Sequence, residues 1–180
     1  MKKARKGFTL IELLVIIAIL GVLAAMATIS GSEAMTTAKA GNIISNLRNL
    51  STAVYEYCND NMYYILKSTD EMPRTQLWYY MNEGVSNDTS AEEQKLSNYY
   101  VVKDNASGTW ANSNIYVGYK FPDSDTAEDK AIKQKLQTRA KEIGLYGTEN
   151  ATTAPDATSP TKYVATNGAI WMKAREKPRR

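Results

Sequence analysis

Residues 8–29 read FTLIELLVIIAILGVLAAMATI, and this stretch decides the fold. From Leu10 to Ala27 it carries one charge, Glu12, among Leu, Ile, Val, Ala, Met and Gly. These 22 residues, at ~1.5 Å rise each, give about 33 Å, enough to cross a ~30 Å hydrocarbon layer. A segment in lipid must satisfy its own backbone hydrogen bonds, so a helix is predicted. Lys2, Lys3, Arg5 and Lys6 precede it with no acid among them, and the next basic residue is Lys39. That asymmetry predicts a cytoplasmic N-terminus and an exported C-terminal body.

Three readings of the segment compete. A cleaved secretory signal has an A-x-A-like site at Ala25-Met26-Ala27. However, the apolar run exceeds the usual length of such a region and holds an acid. A lipoprotein signal fails because Cys58 is far downstream. A plain single-pass anchor explains length and orientation but leaves Glu12 unexplained, since a lone carboxylate is costly in hydrocarbon. The third reading comes from the residues Lys-Gly-Phe-Thr-Leu-Ile-Glu-Leu-Leu (6–14) and the apolar helix after them.

This run resembles the N-terminus of type IV pilins and pseudopilins: a short basic leader ending in Gly, an aromatic residue, Glu five positions past that Gly, then some twenty apolar residues. The resemblance covers roughly residues 5–30. It implies that a prepilin peptidase cuts after Gly7 and methylates the new amine of Phe8. It also implies that Glu12 of one subunit faces the N-terminal amine of a neighbour in a lipid-free filament core. Each charge is costly alone in low dielectric and pairing offsets much of that cost, so the pair acts as a register device. One departure stands out. Many members carry a proline where this chain has Ile29, and here no proline precedes Pro73.

Further along, Ala40, Ile43, Leu47, Leu50, Val54 and Tyr57 recur at helical intervals over residues 33–58. Glu33, Lys39, Arg48 and Glu56 lie elsewhere around the axis, and Asn59-Asp60-Asn61 reads as a stop. An unbroken helix over residues 8–57 would measure about 75 Å. No compact body of this size needs that for its own core. The stripe therefore packs on the body, and the membrane half and opposite face remain for neighbours.

Residues 74–83 read as a brief helix after Pro73, closed by Gly84, and residues 84–97 as loop. Tyr99–Lys103 is a predicted strand, and Asn105-Ala106-Ser107-Gly108 is turn chemistry. Ile115, Val117, Tyr119 and Phe121 alternate with Tyr116, Gly118 and Lys120 as in a half-buried strand. Asp125 with Glu128 has capping-box spacing and opens a surface helix carrying Ala127, Ile132, Leu136, Ala140 and Ile143, ended by Gly144. Residues 148–161 read as loop. Asn167-Gly168 between residues 163–166 and 169–172 is the strongest hairpin signal in the chain. The expected fold is α+β: a long N-terminal helix packed on a small antiparallel sheet of three to four strands, with an additional surface helix. The expected organisation is leader 1–7, transmembrane or filament-core helix 8–29, amphipathic helix 30–60 and extracytoplasmic body 61–180.

Composition narrows the chemistry. The chain has 180 residues, 43% hydrophobic and 23% charged, which fits one domain with an appendage rather than wholesale disorder. A mean hydropathy of −0.42 excludes a multi-span membrane protein. No histidine is present, which removes Ser-His-Asp and Cys-His catalysis and histidine metal sites. A single cysteine, Cys58, excludes an intrachain disulfide and reads as a small buried residue. The net charge of +3 reports two basic termini; residues 8–172 hold 13 basic and 18 acidic side chains, a balance of −5.

The remaining candidates are weak. Asp123, Asp125, Glu128 and Asp129 lack the Gly and terminal Glu of an EF-hand loop, and helix capping accounts for them. Glycosylation-type triplets start at Asn87, Asn105 and Asn150. Paired tyrosines (Tyr63-Tyr64, Tyr79-Tyr80, Tyr99-Tyr100) fit packing, one ring in and one out. The basic tail from Lys173 to Arg180 reads as a solvated end. No catalytic residue, metal site or cofactor is expected. Gly7 and Phe8 are the expected processing residues, and Phe8 and Glu12 the expected assembly residues. Expected partners are further pilin copies, the prepilin peptidase, an inner-membrane assembly platform and membrane lipid before assembly; nothing supports DNA or a surface ligand. The competing function is a membrane-anchored or secreted binding module. An anchored hydrolase is weakest, because no nucleophile–base set can be assembled without histidine, which leaves only carboxylate or lysine mechanisms open.

Overall fold

The structure, a computed structural model, describes residues 8–68, 72, 74–81, 97–104, 108–122, 126–149, 153–156 and 160–176, with backbone alone at 27–30, 74, 75 and 78. Its dominant element is α1 (Leu10–Asp60), one helix of 51 residues, about 76 Å long at the usual rise. Asn61 stops it: its backbone N–H donates to the Tyr57 carbonyl at 2.9 Å, and its side-chain amide donates to the same oxygen at 3.1 Å. The helix changes character along its length. Every described side chain up to Met35 is exposed; Thr36 is the first buried one. Beyond it, the expected stripe of Ala40, Ile43, Leu47, Leu50, Val54 and Tyr57 is buried, joined by Ile44, Ala53 and Cys58.

Two short helices fold back beside the distal end of α1: α2 (Met62–Lys67) and α3 (Arg74–Met81). Tyr57 anchors them, presenting its ring edge-on to Tyr64 at 6.2 Å and Tyr80 at 5.9 Å between centroids. The predicted helix at residue 74 thus forms. Pro73 and Gly84, its expected flanks, lie outside the described residues, as do residues 84–96. The α2 turn was not legible in the sequence.

The sheet is antiparallel throughout, in the order β1 (Tyr99–Lys103), β2 (Ile115–Lys120), β4 (Ala169–Arg175), β3 (Leu145–Thr148). β1 and β2, both predicted as strands, pair as an antiparallel hairpin, with Val101 opposite Val117 and a 3-10 turn (Trp110–Asn112) in the connection. One face, with Ile115, Val117, Leu145, Ile170 and Met172, joins the buried stripe of α1 in the main core. The other face was expected to meet solvent at Tyr116 and Gly118, and it does not. Tyr116, Ala169 and Trp171 form a second buried cluster with Tyr100, Val102, Tyr146 and Ala154 packed against it. Gly118 is needed there because a Cβ at this position would enter the Trp171 ring.

Three further expectations are corrected. Residues 163–166 are not a strand, and the Asn167-Gly168 hairpin does not form. The Asn167 carboxamide oxygen accepts the Val164 N–H at 2.9 Å and the Asn167 backbone N–H donates to the Val164 carbonyl at 3.0 Å, closing a local turn. The edge of β4 is taken instead by β3, a strand not expected from the sequence. Finally, α4 (Ala127–Ile143) is capped by Thr126 with Asp129, one residue later than the Asp125–Glu128 box. Thr126 and Asp129 exchange bonds, and Glu128 is thereby free to reach Lys39 on α1. Gly144 ends α4 as expected, in left-handed backbone at φ 67°. Ile132, Leu136 and Ala140 are buried, Ile143 is half-buried and Ala127 is exposed. Ion pairs from α4 to α1, Lys39–Glu128 at 2.5 Å and Lys135–Glu33 at 2.8 Å, hold the helix along the point where α1 leaves the body.

Candidate functional site

The site begins with local backbone chemistry at the head of α1. The first amides of a helix have no internal acceptor. Thr9 sits in extended backbone as the N-cap, and its hydroxyl accepts the Glu12 N–H at 3.3 Å. Glu12 answers in the opposite direction: its Oε2 accepts the Thr9 backbone N–H at 2.7 Å and the Thr9 hydroxyl at 2.8 Å. This reciprocal arrangement is a capping box. It places a negative charge where the helix dipole favours one. Among the described residues Oε1 of Glu12 makes no hydrogen bond.

Around this carboxylate the surface is apolar. Phe8 is 79% exposed, and Leu10, Ile11, Leu13, Leu14 and Val15 are exposed around the first turns. The most apolar stretch of α1 has a mean hydropathy of 2.8 and none of it is buried within the chain. Such a surface has to be covered by lipid or by other chains.

The structure brings Phe8 and Glu12 to one end of the same helix, a single turn apart. Gly7 lies outside the described residues, and so do Asp123, Asp125, the three glycosylation-type triplets and the tail beyond Glu176. Thr9 is the residue that sequence reasoning missed. The signal is present in Thr-x-x-Glu at the start of an apolar run, the same spacing as Asp125–Glu128. Cys58 is buried as expected, beside Arg175, and burial pushes its thiol pKa up.

Residues 2–28 match the family model described as the prokaryotic N-terminal methylation motif. This is the class III signal of type IV pilins and pseudopilins, and it supports reading the chain as a type IV pilin-like precursor. No curated protein and no solved structure matches the chain.

Proposed function

We propose that the chain is a structural prepilin: it is inserted in the cytoplasmic membrane, cleaved after Gly7, methylated on the Phe8 amine and polymerised through α1 into a pilus or pseudopilus. Residues 1–7 are then the leader, 8–29 the membrane and filament-core segment, 30–60 its continuation into the body, and 61–180 the extracytoplasmic body. The observation that carries this reading is the unburied apolar half of α1 with one carboxylate a turn from Phe8. Before assembly lipid covers this surface, and in the filament the same surface of other subunits does.

The capping box gives Glu12 a definite part in that exchange. Cleavage would leave Phe8 with a secondary ammonium carrying two N–H donors. Oε2 is already engaged by Thr9, so a neighbour's ammonium is received at Oε1 while the helix stays capped. A subunit out of register would bury both charges unpaired, which the low-dielectric core penalises. Partners follow: other pilin copies, the prepilin peptidase and the membrane platform that drives insertion.

The direct experiment is to shear surface material or pseudopili from cells making the wild-type chain, Glu12→Gln or Glu12→Ala. Electron microscopy and intact mass are then recorded. Cleaved but unpolymerised protein from both variants supports the reading; normal filaments from both contradict it.

A further inference from the structure

A cleft of about 540 Å³ lies between α4 and the chain that follows residue 160. Gln134, Gln137, Thr138 and Lys141, spaced as one face of α4, form the first wall; Lys162, Tyr163 and Val164 form the second. The walls are tied together where the Gln137 carboxamide oxygen accepts the Ala165 N–H at 2.8 Å. The lining side chains carry two ammonium groups, two carboxamides and two hydroxyls, and no carboxylate. Glu142, next to Lys141 in sequence, is not part of it. Among the described residues neither Lys141 nor Lys162 has an ion-pair partner, whereas Lys39 and Lys135 do. The volume is that of a small-ligand site, and the lining chemistry is that of an anion site bordered by hydroxyl-binding amides.

The position of the cleft along α1 narrows the choice of anion. The pairs Lys39–Glu128 and Lys135–Glu33 run in opposite senses along the two helices, so α4 descends as α1 ascends. Glu33 stands only four residues beyond Ile29, about 6 Å above the end of the apolar run. Lys141 is six residues past Lys135, about 9 Å further down α4. The cationic cleft therefore opens at the level where a bilayer surrounding α1 presents its headgroups.

We infer that this cleft holds the headgroup of an anionic phospholipid, a phosphodiester bearing glycerol hydroxyls, while the subunit is anchored before assembly. Lys141 and Lys162 take the phosphate; Gln134, Gln137 and Thr138 take the hydroxyls. The inference rests on the membrane-anchored reading above. Its consequence is orientational, since a lipid held on the flank of α4 away from α1 fixes the rotation of the body about the helix axis.

The test uses the full chain. In detergent micelles, native mass spectrometry with added phosphatidylglycerol or phosphatidylcholine should show selective retention of the former. Affinity should fall about fivefold for each of Lys141→Ala and Lys162→Ala, and the Lys→Arg variants should keep most of it. Both lysines are exposed, so the fold should survive, with circular dichroism as the check. Equal retention of the two lipids, or indifference to the double alanine substitution, overturns the inference. So does displacement of the lipid by an equal concentration of soluble glycerol phosphate, which would make the ligand a free phosphate. Vesicle flotation tests the anchored reading separately: failure to float overturns that reading, while floating protein without lipid selectivity overturns the cleft alone.

Discussion

Glu12 and Gly118 are two residues at which the side chain, or the lack of one, decides what can approach. At Glu12 the carboxylate serves its own helix through Oε2 and has Oε1 to offer. Glu12→Gln keeps a hydrogen-bonding group at the cap but removes the charge; Glu12→Ala removes both. If charge pairing sets the register, both should lower filament yield well over about tenfold, with leader cleavage unaffected. Quantitative electron microscopy beside intact-mass measurement reads the two effects separately. At Gly118 the constraint is steric, because the Trp171 indole lies across the position a Cβ would occupy. The ring is held in place by its own N–H donating to the Thr148 hydroxyl at 2.7 Å. Gly118→Ala should therefore destabilise the body by about 1–3 kcal/mol. Urea denaturation of the full chain in detergent, followed by Trp fluorescence, would measure this.

At the scale of elements, α4 works as a brace on the stretch of α1 between its exposed apolar half and the body. Lys135 donates a hydrogen bond to the Glu33 carboxylate and adds its charge, holding the Glu33 pKa below its ordinary 4.5. A depressed carboxylate stabilises the folded state above its ordinary pKa and loses that contribution as pH falls through the lowered value. The brace should therefore be intact at neutral pH and loosen as pH drops below about 4.5. Amide exchange of residues 33–43 should accelerate in that window in the wild-type chain, and already at pH 7 in a Glu33→Gln, Lys39→Ala variant. Exposed pairs add little to global stability, so the unfolding midpoint should barely move. Elements whose signal lies in their own periodicity were legible in the sequence: α1, the stripe from Ala40 to Tyr57, β1, β2, and α4 ending at Gly144. What was illegible depended on distant partners. The Asn167-Gly168 pair is sound hairpin chemistry, but Asn167 closes its own turn to Val164 and β3 occupies the edge of β4. The second face of β2 looked solvent-facing by period two, and no local pattern announces that Tyr146 and Ala154 pack around Tyr116 and Trp171.

For the whole molecule, the division of labour runs along α1: an outer half with no core of its own and an inner half that packs on one face of the sheet. The body's interior is rich in tyrosine, which gives it an alkaline limit. Burial pushes the Tyr116 hydroxyl up to about 12, with Asp104 and Tyr146 adding to the shift, and burial also raises Tyr163 well above its ordinary value. A phenol held neutral in the fold but ionising near 10 when unfolded stabilises the native state below that pH, and the advantage vanishes as pH rises toward 12. Tyrosinate absorbance should accordingly lag behind that of free tyrosine and then rise together with loss of structure. The central claim is the proposal made for the other half of α1: that a freshly exposed amine and one carboxylate align otherwise uniform apolar helices. Its most direct measurement is the N-terminal peptide of the protein recovered from native filaments, sequenced by tandem mass spectrometry. The account predicts N-methylated Phe8 as the first residue. A peptide beginning at Met1, or at Thr28 after signal-peptidase release, would contradict it.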